Sequence, residues 1–469
     1  MYSEIFKRVI ILLTLGLLTI SAFFIRLENF KNSKSRSTDE IIYYTMAQQV
    51  KKNILNYNSI PYAQILESEG RYIPEYLKRP LFKYPPLFVF MLAQSLKNFG
   101  MSLISAAYIS ILSGALLVPI VYLLGSSIFN RSVGIISAFF LFIDPVSIVC
   151  SQKIWLETPL ALFSILSVLF FIWGLNQKYA FLFIYSGICC GLATLTKYPG
   201  ILLICIYFIY AFFYQRHLLR KGLFWLGIFI PFIMLTPWIM WNFEIYGTNF
   251  IKSQILLHTT TEHLGQVFGK ILLIIGFLGL IAFILLLKKE NIRSILSLES
   301  YDKNDRLCVV LAIALGIVLI TNLIRAFQLT YIPVVGWQIK MFYNEPPTFY
   351  LGRLLEFSLI YAFGYLAYFF RESIRNDGRS VIKLATVIYM IFYIFWGNYQ
   401  SRYILVCIPF LLILSVQILM RIFKYIVKMP LGCKKNIFLF MILMLISFIL
   451  IKTTYINQIL TFSNDFCYF

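Results

Sequence analysis

Apolar runs of about 18 residues, the length that crosses a bilayer as a helix, recur along nearly the whole chain. This feature leaves few folds open, because a backbone in lipid must bond its own polar groups. Spans are predicted near 8–25, 103–124, 132–150, 157–174, 180–196, 199–214, 223–242, 270–287, 307–324, 353–370, 381–397, 403–420 and 437–451, thirteen in all. The composition agrees: 60% of the 469 residues are hydrophobic and only 13% are charged, against about a quarter charged in a soluble domain. The fold class read from this is all-α integral membrane, with 1–469 forming a single polytopic domain. The first apolar stretch follows a basic start, but it is longer than a signal-peptide core and lacks a clear small-x-small cleavage site. It is therefore expected to remain as an uncleaved span.

The formal charge of +21 does not indicate nucleic acid, because no basic helix or soluble reader module carries it. Lys and Arg gather instead in short loops between spans. With the N-terminus placed in the cytoplasm, 21 of the 41 basic residues fall inside. Eleven of the remaining 20 lie in the long first loop, 26–98, and long loops obey the positive-inside rule poorly. Excluding that loop the balance is 21 to 9, so the first loop is expected outside the cytoplasm and membrane lipids are expected to meet the basic loops. The eight cysteines show no CxxC or zinc-like spacing, and "HTTTEH" at His258–His263 is not the HExxH arrangement. No metal site is assigned.

The chain has only 20 acidic residues, yet two stand side by side, Asp39 and Glu40, in "RSTDEIIYYTMAQQVKKN". The pattern suits a short helix at the membrane interface, with aromatic rings at headgroup depth. Thr38 or Asp39 would cap such a helix, and on spacing alone that role competes evenly with chemistry. A second stretch, "LKRPLFKYPPLFVF", sets Lys78, Arg79 and Lys83 before the rigid Pro85–Pro86 pair, where cations can hold a phosphate or simply snorkel. Glu157 in "DPVSIVCSQKIWLETP", Lys197 in "GLATLTKYPG" and Arg402 in "QSRYILV" each fall at an outer end of a span. Acids and bases thus collect on one face of the membrane from loops far apart in sequence.

These stretches resemble the GT-C fold polytopic glycosyltransferases of the protein O-mannosyltransferase and aminoarabinose-transferase-like superfamily, glycosyltransferase family 39 and its relatives. The resemblance rests on the acidic pair with Tyr43, on Lys83 and Pro85–Pro86–Leu87, and on Gly191–Gly200. Pro237, Trp238, Trp241 and Asn242, then Arg402–Tyr403, complete it. Two departures stand out: Tyr84 separates the basic residue from the proline pair, and Glu157 stands where many relatives carry Asp.

The resemblance implies a membrane glycosyltransferase that takes its sugar from a polyprenyl-phosphate donor, by inversion, at the extracytoplasmic face of the cell membrane. Asp39 would act as the base on an acceptor hydroxyl, with Glu40 and Glu157 beside it to position substrate or hold a divalent cation. Lys83, with Arg402, Lys197 or Arg79, would bind the donor phosphate. Tyr43 and Tyr84 would position substrate. The acceptor, whether protein, lipid or glycan, is not legible. The alternative is a translocase of lipid-linked sugars, which would place ionisable groups deep within discontinuous spans.

Overall fold

The computed structural model describes residues 2–33, 36–71, 73, 75–80, 84–248, 350, 353–354, 357–358, 360–368, 377–396 and 400–428. Among them it is helical, with no strand beyond an isolated bridge between Asn58 and Pro80. The helices are α1 (Tyr2–Asn32), α2 (Thr38–Lys52), α3 (Ile60–Ser68), α4 (Leu87–Phe99), α5 (Leu103–Ile128), α6 (Arg131–Phe142) and α7 (Pro145–Ser151). There follow α8 (Glu157–Gly174), α9 (Leu182–Thr196), α10 (Leu202–Phe213), α11 (Gly222–Tyr246), α12 (Ile360–Leu366), α13 (Asp377–Trp396) and α14 (Ile408–Lys428).

Four of these, α1, α5, α8 and α11, are long and apolar enough to cross a membrane, and α6 with α7 makes a fifth if the bent pair counts as one span. The protein is an integral multi-pass membrane protein. The spans predicted at 270–287, 307–324 and 437–451 lie outside the described residues, as does part of 353–370. Three differences from the sequence reading bear on the site. The first span runs on to Asn32 and takes in Arg26, which is fully buried. The stretch 132–150 is not straight but bends by 59° between α6 and α7, with Pro145 at the first position of α7 and Asp144 as its cap. A 3₁₀ turn, Ser401–Val406, precedes α14, so Arg402 sits on a turn that enters a helix.

Helices α5, α6, α8, α9, α13 and α14 supply most of one apolar core. The side chains are large and aromatic, as where Phe171 of α8 stacks on Tyr207 of α10 at 4.1 Å. A second cluster joins α2, α3 and α4 to the start of α5 and to Ile154, Leu156 and Trp238. It is this second cluster that positions the site. The first loop is folded against the bundle, and Ile42, Tyr43, Met46 and Ala47 of α2 are buried in it.

Candidate functional site

The site is best built from the start of α2. Ser37 caps the helix: its backbone N–H donates to Glu40 Oε2 at 2.8 Å, and the Glu40 N–H donates to Ser37 Oγ at 3.4 Å. This is a capping box. The cap residue is therefore Ser37 and not Thr38 or Asp39, as the sequence suggested. Glu40 is fully buried. Its Oε1 accepts the backbone N–H of Ile154 at 3.1 Å, and Lys153 Nζ lies 3.9 Å from its Oε2. Lys153, itself buried, also donates to Ser33 Oγ at 3.1 Å. Trp155 Nε1 donates to Ser37 Oγ at 3.0 Å. Glu40 thus fastens the first outer helix to the segment that leads into α8.

Asp39, one residue earlier, faces the other way. Its side chain keeps 24% of its surface, and Arg402 Nη2 reaches its Oδ2 at 2.5 Å. Arg402 Nε lies 3.6 Å from Glu157 Oε1, which also accepts from Lys197 Nζ at 2.9 Å. Four charged groups, Asp39, Arg402, Glu157 and Lys197, thereby form one chain of ion pairs from four separate segments. Aromatic faces cover the cations: the guanidinium lies 4.6 Å over Trp155, and the ammonium 3.8 Å over Tyr403. Such contacts are strongest where water is excluded.

Local folding explains why these groups converge. Glu157 opens α8, where a carboxylate suits the positive end of the helix. Lys197 ends α9 in extended backbone, and Tyr198–Ile201 folds back as a 3₁₀ turn. Gly200 makes that turn tight, since a Cβ there would lie 2.4 Å from backbone atoms of Ala193 and Thr194. Burial pulls the Lys197 ammonium below its usual pKa while Glu157 pushes it back up. Burial also opposes charge on Arg402, but Glu157 and Asp39 together hold its pKa well above the ordinary value. Tyr43 is pushed well up by burial, and Tyr84 and Asp39 add to the effect, so its hydroxyl stays neutral.

Of the residues singled out in the sequence, Asp39, Glu157, Lys197 and Arg402 meet directly. Tyr43 and Tyr84 meet one another, with ring centroids 5.0 Å apart. Arg79 is exposed beside Tyr246 of α11. Lys83 lies outside the described residues. Its neighbours in sequence are anchored: Tyr246 OH donates to Pro80 O, and Tyr57 OH donates to Tyr84 O at 2.9 Å and to Pro85 O at 3.2 Å. Sequence reasoning gave no role to Ser37, Lys153 or Trp155. A lysine inside the apolar run "SIVCSQKIWL" was the available signal, since a charge in such a run requires a partner.

The site has one open valence of note. Glu157 Oε2 is buried and has no hydrogen-bond partner among the described residues. Among those residues no group of three or more His, Cys, Asp or Glu is placed to hold a metal ion. A divalent cation at Asp39 or Glu157 would have to displace or share the contacts of Arg402 and Lys197.

The family described as dolichyl-phosphate-mannose-protein mannosyltransferase matches residues 83–241, about a third of the chain. No curated sequence matches significantly. Among solved structures, the chain is similar to ArnT from Cupriavidus metallidurans bound to undecaprenyl phosphate, with a TM-score of 0.55 and 14% identity. That similarity covers 87% of this chain and 60% of ArnT. It is also similar to the Archaeoglobus fulgidus oligosaccharyltransferase in the apo form, with a TM-score of 0.55 and 15% identity over 97% of this chain and 56% of the other. The archaeal oligosaccharyltransferase AglB from Archaeoglobus fulgidus, in complex with an inhibitory peptide and a dolichol-phosphate, gives 0.50 at 14% identity, again over 97% and 56%. The chain therefore spans less than two thirds of the length of these relatives. At such identities the likeness is one of fold, and this chain has the polytopic, helical GT-C fold of those membrane proteins.

Proposed function

We propose that the protein is a membrane glycosyltransferase that moves a sugar from a polyprenyl-phosphate donor to an acceptor hydroxyl, by inversion, at the extracytoplasmic face of the cell membrane. The observation that carries this reading is the ion-pair chain Asp39–Arg402–Glu157–Lys197, which sets a partly exposed carboxylate against one half-buried cation, Arg402, and links it through Glu157 to a second, Lys197. A displacement at C1 of a lipid-linked sugar needs those two things, a base for the incoming hydroxyl and positive charge for the departing phosphate. Undecaprenyl phosphate bound to ArnT and dolichol-phosphate bound to AglB support a donor of that class.

In this mechanism Asp39 accepts the proton of the acceptor hydroxyl as its oxygen bonds to C1. The bond from C1 to the phosphate oxygen breaks, and the lipid phosphate leaves with the electron pair. Arg402 and Lys197 stabilise that charge, joined by Lys83 or Arg79 from the first outer segment. Arg402 also orients Asp39. Glu157 holds both cations through Oε1. Tyr43 and Tyr84, whose rings meet, position the substrate.

One observation favours the rival reading as a translocase: the break in the α6–α7 span carries Asp144 next to buried Arg26, as discontinuous transporter helices do. A single assay separates the two. The full chain is placed in sealed vesicles with a labelled polyprenyl-phosphate sugar and a cell-envelope extract as acceptor. Label moving from lipid to acceptor supports the transferase. Labelled lipid crossing the bilayer with its sugar still attached would overturn it.

A further inference from the structure

Arg26 lies in the first span and is fully buried. An arginine in that position is costly unless the protein satisfies it, and a buried charge in a span commonly has a function. Its guanidinium is well bonded: Nε donates to Ser151 Oγ at 2.6 Å, Nη2 to Ser147 Oγ at 3.3 Å, and Nη1 to Ala22 O at 3.2 Å. Both serines belong to α7, one turn apart on the same face. Asp144, close enough to attract Arg26, caps α7 by accepting the Ser147 N–H at 2.7 Å, and its other oxygen accepts from Tyr361 OH of α12. Helix α5 leaves room for the contact, because a Cβ on Gly114 would lie 2.4 Å from Ser151 Cβ and 3.1 Å from Arg26 Nε.

Helix α7 is only seven residues long, so it cannot fix its own direction. It is held instead by Arg26 from one side and Tyr361 from another. Directly after Ser151 the chain supplies Lys153 and Ile154 to Glu40, Trp155 to the underside of Arg402, and Glu157 to Arg402 and Lys197. We infer that the Arg26–Ser147–Ser151–Asp144–Tyr361 network is a positioning device, which sets the break in the bent span and thereby the placement of Trp155 and Glu157 in the site. Arg26 touches no reacting group and acts through α7. The network is sealed and its guanidinium is spent on fixed partners, which suits a brace and not a path for ions. The role in transfer rests on the functional reading above; the structural coupling does not.

The test uses the full chain in lipid nanodiscs. Arg26→Met removes the fork, Arg26→Lys keeps the charge without it, and Ser151→Ala is a milder variant for the case that Arg26→Met fails to fold. Hydrogen exchange across 152–157 is expected to quicken about tenfold in these variants, as the Ile154 N–H loses its hold, while α9 is unchanged. In the transfer assay kcat should fall about tenfold with little change in KM for the donor. In a Glu157→Gln background the same substitutions should have almost no further effect, because residues that act through one another do not add. Unchanged exchange across 152–157, an equal rise in every helix, or full multiplication of effects in the Glu157→Gln background would overturn the inference. If the wild-type chain transfers no sugar at all, the functional reading fails while the exchange result still decides the coupling.

Discussion

Asp39 and Glu40 are neighbours in sequence but do different work. Glu40 closes a helix cap and is sealed against Ile154 and Lys153, whereas Asp39 keeps an open face toward Arg402. Removing each should therefore read out differently. Glu40→Ala removes half of the capping box, the acceptor of the buried Ile154 N–H and a partner of buried Lys153, and a loss of about 2 kcal/mol or more is expected, visible as a lowered unfolding temperature. A charge-preserving change in the ion-pair chain should cost less stability and strike turnover. Arg402→Lys keeps the charge but cannot reach Asp39 and Glu157 together in a planar fork, so a fall of about 100-fold in kcat is expected. Wild-type rates from that variant would remove Arg402 from the mechanism. The sequence displayed all these residues but not their division of labour. Which acid of an adjacent pair turns inward depends on where Ser37 starts the helix, and a chain with Ser37, Thr38 and Asp39 in a row offers three competing caps.

Short elements do the positioning. The 3₁₀ turn at Tyr198–Ile201 delivers Lys197, and the Ser401–Val406 turn delivers Arg402. Gly200 has no room for a side chain, so Gly200→Ala should displace the turn and with it the 2.9 Å contact from Lys197 to Glu157. A drop in transfer of about tenfold or more is expected, with the chain still folded; activity equal to wild type would show that the turn adapts. The long spans were legible because hydrophobic length is a strong signal. The short elements were not. The run 132–150 reads as one continuous apolar helix, and only Asp144–Pro145 within it marks the break, through a cap residue followed by a proline. Arg26 looked like the first residue outside the membrane, since a charge after an apolar run usually ends it. Its partners Ser147 and Ser151 are more than a hundred residues away, beyond any local pattern.

At the scale of the whole molecule, fold class followed from composition and span length, and the convergence of four distant segments on one site followed from their common place at span ends. The contact of Asp39 with Arg402, 363 residues apart, needed the structure. The charge distribution argues for a topology with the first loop outside, and this can be checked directly. A cysteine replacing exposed Lys52 should react with an impermeant thiol reagent on intact cells, and one replacing Lys178 only after permeabilisation. The reverse pattern would put the site on the cytoplasmic side. The most direct measurement of the central claim is transfer of labelled sugar from a polyprenyl-phosphate donor by the wild-type chain and by Asp39→Asn, side by side in the same vesicles. Transfer by the first and a loss of at least about 100-fold in the second, with donor binding retained, is the expected result. Equal transfer by both would contradict it.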